Sequence, residues 1–309
     1  MTNTSARYRE AAIDAPGEDP SGGRLRNTTG FGIDPDSRAV RKLTGNSMQG
    51  ENEERLVELF GVRFNDLTLD ELCQRIERYV RGGAPTYIVT ANVDHVCRCH
   101  SDPMFRDAYA NAGTVVCDGK PLIWMSKVLG SPLREKLSGS DLVVDLSGYA
   151  AEKGLSVYLF GAAEGVAAQA AKRLQERFPR LKVSGVASPP MAFYSDEIKS
   201  AEAVRTIAAA RPDICFVALG SPQQEIWMAK VHRECNAAVM IGIGASFDFL
   251  AGRVKRAPRW MQHAGLEWIW RLYQEPRRLW RRYLVDDMKI LSLFWRELWR
   301  YRSRQTRTT

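Results

Sequence analysis

The sequence predicts an α/β fold: a doubly wound, mostly parallel sheet, followed by a C-terminal helical appendage that is basic and tryptophan-rich. Three observations predict it. Short apolar runs alternate with helical stretches between residues 55 and 252, and strands that are apolar throughout belong in a parallel sheet covered on both faces. Several runs stop at a polar residue or a glycine and pass directly into a helical pattern, the texture of repeated βα units. After Gly252 the composition changes, and six of the eight tryptophans fall within residues 253–309.

Residues 1–52 are rich in Gly, Ser, Asn, Asp and Pro without a periodic apolar face, and are expected to form a disordered leader. The folded chain begins near RLVELFGVRFNDLTLDELCQRI. There Thr68 and Glu71 have capping-box spacing and open a helix with Leu72, Ile76 and Val80 on one face. Strands are predicted over 86–92, 114–119, 155–162, 182–187, 213–220 and 237–244. Helices are predicted near 93–111, 120–129, 139–153, 164–178, 195–210 and 222–234. The result is a Rossmann-like domain over 55–252 with no internal repeat. Residues 253–305 form the appendage, where Leu284, Met288, Leu291, Trp295 and Leu298 recur at helical spacing beside Arg281, Arg282, Lys289, Arg296 and Arg300. A helical pair packed on the domain is one reading. The favoured one is an interfacial helix, with rings at headgroup depth and cations on an anionic membrane surface.

Charge supports that division. The chain carries a net +8, yet residues 253–309 hold fifteen Arg/Lys against five Asp/Glu, or +10, which leaves −2 for the rest. An anionic partner is therefore expected at the tail, and the tryptophans favour lipid over nucleic acid. The six cysteines sit mostly in apolar stretches and lack framework or zinc spacing, which suits a reducing cytoplasm. No signal peptide is legible, and the longest apolar stretch, 237–252, is interrupted by Asp248 and glycines, so no membrane crossing is predicted.

Three strand ends share a polar residue where the apolar run gives way: Thr90 and Asn92 in VTANVD, Asp118 in VCDGKP, and Gln224 in ALGSPQQE. In a parallel sheet such ends gather along one edge, so Thr90, Asn92, Asp118 and Gln224 are expected to converge on one crevice. Each is also a common cap or turn former. Asp118 especially invites that reading, since the Gly119-Lys120-Pro121 that follows suits a first helical turn. In YLFGAAEGVAAQAAKRL a glycine turn containing Gly161 opens a helix whose N-terminus could receive a phosphate or ribose. Tight packing around Gly161 and Gly165 explains the glycines equally well, and the spacing is not G-x-G-x-x-G. The one D-x-D pair, Asp34 with Asp36, lies in the leader. A diphosphate is therefore expected to be neutralised by Lys or Arg rather than by a metal, and no cofactor is predicted. Lys136, Arg253, Lys255, Arg256 and Arg271 are the cations near the site's edges. The four histidines have no metal spacing and are read as packing or surface residues, and no G-x-S-x-G elbow is present.

Seven blocks occur in an order that resembles the WecG/TagA/CpsF bacterial glycosyltransferases, glycosyltransferase family 26. They are VTANVDHV, CDGKPLIW, GSPLREKLSGSDLV, FGAAEGV, FVALGSPQQEIW, IGIGASFDFLAGRVKRAP and GLEWIWRLYQEPRR, spread over about residues 55–285. The resemblance implies an inverting enzyme that moves N-acetylmannosamine, glucose or a related sugar from a UDP-sugar to a polyprenyl-diphosphate-linked saccharide. It implies a place in cell-surface polysaccharide synthesis, peripheral on the inner face of the plasma membrane. It implies Asp118 as the base, Thr90, Asn92 and Gln224 in the pocket, and appendage arginines on the diphosphate, with Arg256 and Arg271 the candidates here. Lys136 stands where the family commonly has Arg; it keeps the charge and loses the bidentate fork. Two other classes are compatible with the residues alone: an NAD(P)-dependent oxidoreductase using the 158–174 turn, and a non-catalytic lipid-binding module built on the tail.

Overall fold

The computed structural model describes residues 55–305; the leader at 1–52, with Asp34 and Asp36, lies outside the described residues. The described chain opens on an antiparallel hairpin, β1 (Leu56–Leu59) and β2 (Val62–Asn65). Phe60 and Gly61 connect them at positive φ, 53° and 73°, as a two-residue hairpin turn of the primed type requires. Four-residue strands are too short to declare a period, and this hairpin was not assigned from the sequence. Helix α1 (Leu69–Gly82) starts at the expected capping box: the Glu71 carboxylate accepts from the Thr68 N–H at 2.8 Å, and the Thr68 hydroxyl accepts from the Glu71 N–H.

Next come β3 (Thr86–Ala91), α2 (Val93–Ser101), α3 (Pro103–Ala110), β4 (Thr114–Cys117), α4 (Lys120–Val128), α5 (Gly139–Lys153) and β5 (Ser156–Gly161). They are followed by α6 (Val166–Arg177), β6 (Lys182–Ala187), α7 (Glu197–Ala210), β7 (Ile214–Ala218), α8 (Gln223–Val231) and β8 (Val239–Gly242). All six predicted strands are present. The stretch expected as one helix over 93–111 is two, because Pro103 lacks an N–H and pushes Asp102 out of helical φ/ψ. Asp102 turns this to use as the N-cap of α3, accepting from the Phe105 N–H at 3.1 Å.

The six strands form one parallel sheet in the order β4-β3-β8-β7-β5-β6. Alternate strand residues feed two cores. Tyr87, Val89 and Phe160 pack with residues of α2, α3, α7 and α8 on one face, while Ile88, Leu159 and Phe216 pack under α1, α5 and α6 on the other. The chain winds outward from β3 to β4, crosses to β5 and β6, and returns to fill the centre with β7 and β8. All six carboxyl ends therefore lie along one edge.

After α9 (Ser246–Leu250), which closes the α/β domain, the tail is a string of helices rather than a simple pair: α10 (Arg259–His263), α11 (Glu267–Gln274), α12 (Pro276–Arg281), a π-helical turn over Arg282–Asp286, and α13 (Lys289–Gln305). Ile290, Leu293 and Leu298 of α13 join the first core. Leu284, Met288, Leu291 and Trp295 of the same apolar stripe remain 42–65% exposed. All six cysteines are buried free thiols. Among the described residues no helix is long and apolar enough to cross a membrane.

Candidate active site

A cleft of about 360 Å³ opens at the carboxyl edge of the sheet between β3, β4 and the appendage. Asp118 lies in its wall, one residue beyond β4. Its N–H donates to the Ala91 carbonyl at 2.7 Å, adding a rung to the β3–β4 ladder. On the other side of β4 the Leu137 N–H donates to the Cys117 carbonyl at 2.7 Å, drawing the segment before α5 alongside. The backbone at Asp118 is thus fixed by the sheet. The capping reading fails here: α4 takes Gly119 as its N-cap, at φ 141°, and has no side-chain cap hydrogen bond. The carboxylate faces the start of α5 instead, where the Gly139 N–H reaches it. Gly139 has to be glycine, because a Cβ would lie 2.9 Å from the Ile243 backbone at the end of β8.

Burial raises the Asp118 pKa from 3.8 to about 6; Lys136 pulls it back down, the Glu267 and Asp141 carboxylates push it further up, and the Gly139 N–H lowers it. Two cations and two carboxylates surround it. Arg256 Nη1 lies 2.7 Å from Asp141 Oδ1, and Lys136 Nζ lies 3.2 Å from Glu267 Oε2 and 3.8 Å from Asp141 Oδ2. Arg256 Nη2 is 3.6 Å from Glu267 Oε1. The Ser138 hydroxyl donates to Asp141 at 2.7 Å. Arg256 keeps two buried guanidinium nitrogens, Nε and Nη2, with no hydrogen-bond partner. Such a fork, hydrogen-bonded to Asp141 on one side and only loosely ion-paired with Glu267 on the other, has N–H donors left for a phosphate.

The other expected residues divide into two groups. Asn92 and Arg271 line the cleft with Asp118 and Arg256. Asn92 is also the N-cap of α2, its side chain accepting from the His95 N–H at 3.2 Å, so the bland and the functional readings both apply. Thr90 and Gln224 stand behind this wall. The Thr90 hydroxyl donates to the Gly242 carbonyl at 3.1 Å, and Gln224 Oε1 accepts from the Gly244 N–H at 3.0 Å. Both are buried and pin the end of β8 rather than line the open cleft. Gly161 is away from it. Its φ is +106°, and a Cβ there would fall 2.4 Å from the Ala218 carbonyl oxygen, so close approach of β5 and β7 accounts for the glycine.

Several cleft residues are not assigned to the site from the sequence: Glu267, Asp94, Ser138 and Asp287, and Arg282, expected instead on the membrane-facing surface of the appendage. Glu267 had a signal, as one of five acids in a strongly basic tail. Asp94 is buried and pairs with Arg282 at 3.1 Å and Arg98 at 3.5 Å, which ties the π-helical turn to α2. Burial raises the nearby Asp287 pKa to about 7, helped by the Asp94 charge and opposed by Arg282. His95 is buried against Tyr109, its Nδ1 2.7 Å from the hydroxyl, and burial lowers its pKa to about 4. It is a neutral packing group. No cluster of three or more His, Cys, Asp or Glu suited to a metal occurs among the described residues.

A family model described as the glycosyl transferase WecG/TagA/CpsF family matches residues 57–304. A curated protein of Bacillus spizizenii strain W23, named N-acetylglucosaminyldiphosphoundecaprenol N-acetyl-beta-D-mannosaminyltransferase, is 34% identical over 222 residues, covering 72% of this chain and 84% of the relative. Proteins of the same name from Bacillus subtilis strain 168 and Staphylococcus aureus strain MW2 are 31% and 28% identical, covering 70% and 73% of this chain and 82% and 87% of theirs.

Proposed function

Because the chain belongs to the WecG/TagA/CpsF glycosyltransferase family, we propose that it transfers a sugar from a UDP-sugar to a polyprenyl-diphosphate-linked saccharide, with inversion at the anomeric carbon. That it is a glycosyltransferase follows from the family and its named relatives. The relatives' names supply the acceptor class, a diphosphoundecaprenol-linked N-acetylglucosamine, and one donor sugar, N-acetylmannosamine, in β linkage. Glucose and related hexoses remain within the proposal.

One observation carries the reading: a carboxylate with its pKa raised to about 6 sits in a cleft wall beside Lys136, Arg256 and Arg271. In the proposed step the acceptor hydroxyl attacks the anomeric carbon, the carbon–oxygen bond to the diphosphate breaks, and the hydroxyl proton passes to Asp118. A base with a pKa near 6 is mostly ionised at pH 7 yet basic enough to take part in proton transfer. The leaving diphosphate gathers charge, which Arg256, Arg271 and Lys136 are disposed to receive without a metal ion. Thr90, Asn92 and Gln224 act differently from one another in this reading. Asn92 meets substrate, while Thr90 and Gln224 hold the β8 end that backs the site.

The appendage supports a peripheral seat on the inner face of the plasma membrane. Trp260, Trp280, Trp295 and Trp299 are 51–72% exposed on a tail of charge +10, the composition of an interfacial, anionic-lipid-seeking surface. Leu284, Met288 and Leu291 line the cleft and are also exposed, so an acceptor's lipid end could leave the site along them. The test is UDP release from a panel of UDP-sugars, UDP-N-acetylmannosamine and UDP-glucose included, with a polyprenyl-diphosphate-N-acetylglucosamine acceptor. Acceptor-dependent release with one donor is expected; none with any donor would refute the proposal. A thermal-shift titration should show stabilisation by UDP and none by NAD.

A further inference from the structure

We infer that Glu267 is a positioning residue that stands in for the diphosphate: before substrate binds, its carboxylate in the cleft wall pairs with Arg256 beside it and with Lys136 behind it, and it cedes both to the incoming phosphates. The inference rests on the reading that these two cations receive the donor's diphosphate.

The two carboxylates around the cations are built differently. Asp141 belongs to the first turn of α5, its side chain is 9% exposed, it accepts from Ser138, and it meets Arg256 at 2.7 Å. It is a fixed counter-charge. Glu267 opens α11, a helix with no buried residue, and its side chain is 31% exposed. Its contacts, 3.2 Å to Lys136 and 3.6 Å to Arg256, exceed the roughly 2.7–2.9 Å of a tight charge-assisted bond. Glu267 is therefore the looser and more movable partner.

Charge balance then requires an exchange. Lys136 and Arg256 are offset by Asp141 and Glu267, and Asp118 adds a further negative charge when ionised. A diphosphate arriving with Glu267 still in place would meet no uncompensated cation among these groups. Once Glu267 swings away, Lys136 loses its nearer counter-charge and the Nε and Nη2 of cleft-lining Arg256, which have no hydrogen-bond partner, are released for a phosphate. Because Glu267 is carried by the appendage and Lys136 by the α/β domain, 131 residues earlier, the same exchange links donor binding to the way the appendage sits.

The experiment is calorimetric titration of UDP into the full-length protein and into Glu267→Gln, Glu267→Asp and Lys136→Gln. Removing a competing, partly screened charge beside the cations is expected to tighten the UDP Kd of Glu267→Gln by about five- to tenfold at low salt, with the gain shrinking as salt rises. Glu267→Asp, one methylene too short to span both cations, is expected to tighten UDP by a smaller factor and serves if the Gln variant does not fold. An unchanged or weaker Kd in these variants, while Lys136→Gln weakens UDP, overturns the inference and makes Glu267 a scaffold for the cations. An unchanged Kd in Lys136→Gln overturns the diphosphate reading beneath it, and this inference with it.

Discussion

The two walls of the cleft are held by different forces. On the domain side the site stands on strand ends whose neighbours are sealed: Ala91 is 0% and Cys117 3% exposed, and backbone hydrogen bonds of 2.7 Å fix Asp118 and Leu137. On the appendage side α11 contributes Glu267 and Arg271 without burying a single residue; Glu267 reaches the domain wall through its ion pair with Lys136 and pairs with Arg256 within the appendage. Burial holds a group in place with little regard to salt or pH, whereas partly exposed ion pairs are weak and screened. Under the proposed mechanism the base is thus presented by a rigid frame, and the groups proposed to meet the diphosphate are partly carried by a wall able to adjust. The proposed reaction, with one substrate from water and another from a lipid surface, would be well served by that asymmetry.

The comparison can be broken most directly by removing one wall. A chain ended at Gly252 is expected to keep its α/β signature by circular dichroism, to lose vesicle binding, and to show no turnover on a lipid-linked acceptor. Undiminished turnover would mean that the appendage does not belong to the site. Its melting temperature should drop, because Ile290, Leu293 and Leu298 leave the first core.

Changing the rigid wall instead should separate chemistry from stability. Asp118→Asn is expected to lower kcat by about 10²–10⁴-fold, the usual contribution of a positioned general base, while UDP binding persists. In the unaltered enzyme the acid limb of kcat/KM should fall as pH drops below about 6, where Asp118 gains a proton. The stability effect has the opposite sense. The folded pKa, about 6, lies above the ordinary 3.8, so Asp118 favours folding below the lower value and opposes it once pH has risen past the upper one. At pH 8 the Asn variant should be more stable by at most about 3 kcal/mol, from roughly 2 pKa units; at pH 3 the gain should vanish. Equal chemical denaturation midpoints at both pH values would contradict the burial argument.

Gly161→Ala probes a part of the sheet away from both walls. Its Cβ would lie 2.4 Å from the Ala218 carbonyl at φ +106°, and overpacking with backbone strain should cost about 2–4 kcal/mol in denaturant titration. UDP affinity of the folded fraction should be unaltered; a specific loss of UDP binding would restore Gly161 to the site. The smallest effect belongs to the face proposed to meet the membrane. Arg296→Gln and Arg300→Gln, both at exposed positions of α13, should each weaken binding to anionic vesicles about fivefold, near 1 kcal/mol per cation, and the difference should fade at high salt.

The βα alternation, the six strands, the capping box at Thr68 and the charge break at Gly252 were all legible in the chain, because each is a local pattern of period or composition. So was part of the gathering of polar residues at strand ends: of Thr90, Asn92, Asp118 and Gln224, Asn92 and Asp118 line one cleft, and Arg256 and Arg271, expected from the family resemblance, line it with them. Tertiary structure alone decided that Thr90 and Gln224 turn inward to bind Gly242 and Gly244. It also decided that Gly161 serves packing, that Asp118 faces the start of α5 rather than capping α4, and that Glu267 returns across 131 residues to meet Lys136. The physical reason is range. Periodicity states which face of an element is buried, but where a side chain points beyond the end of a strand, and which distant charge it meets, depends on how the appendage folds back over the sheet.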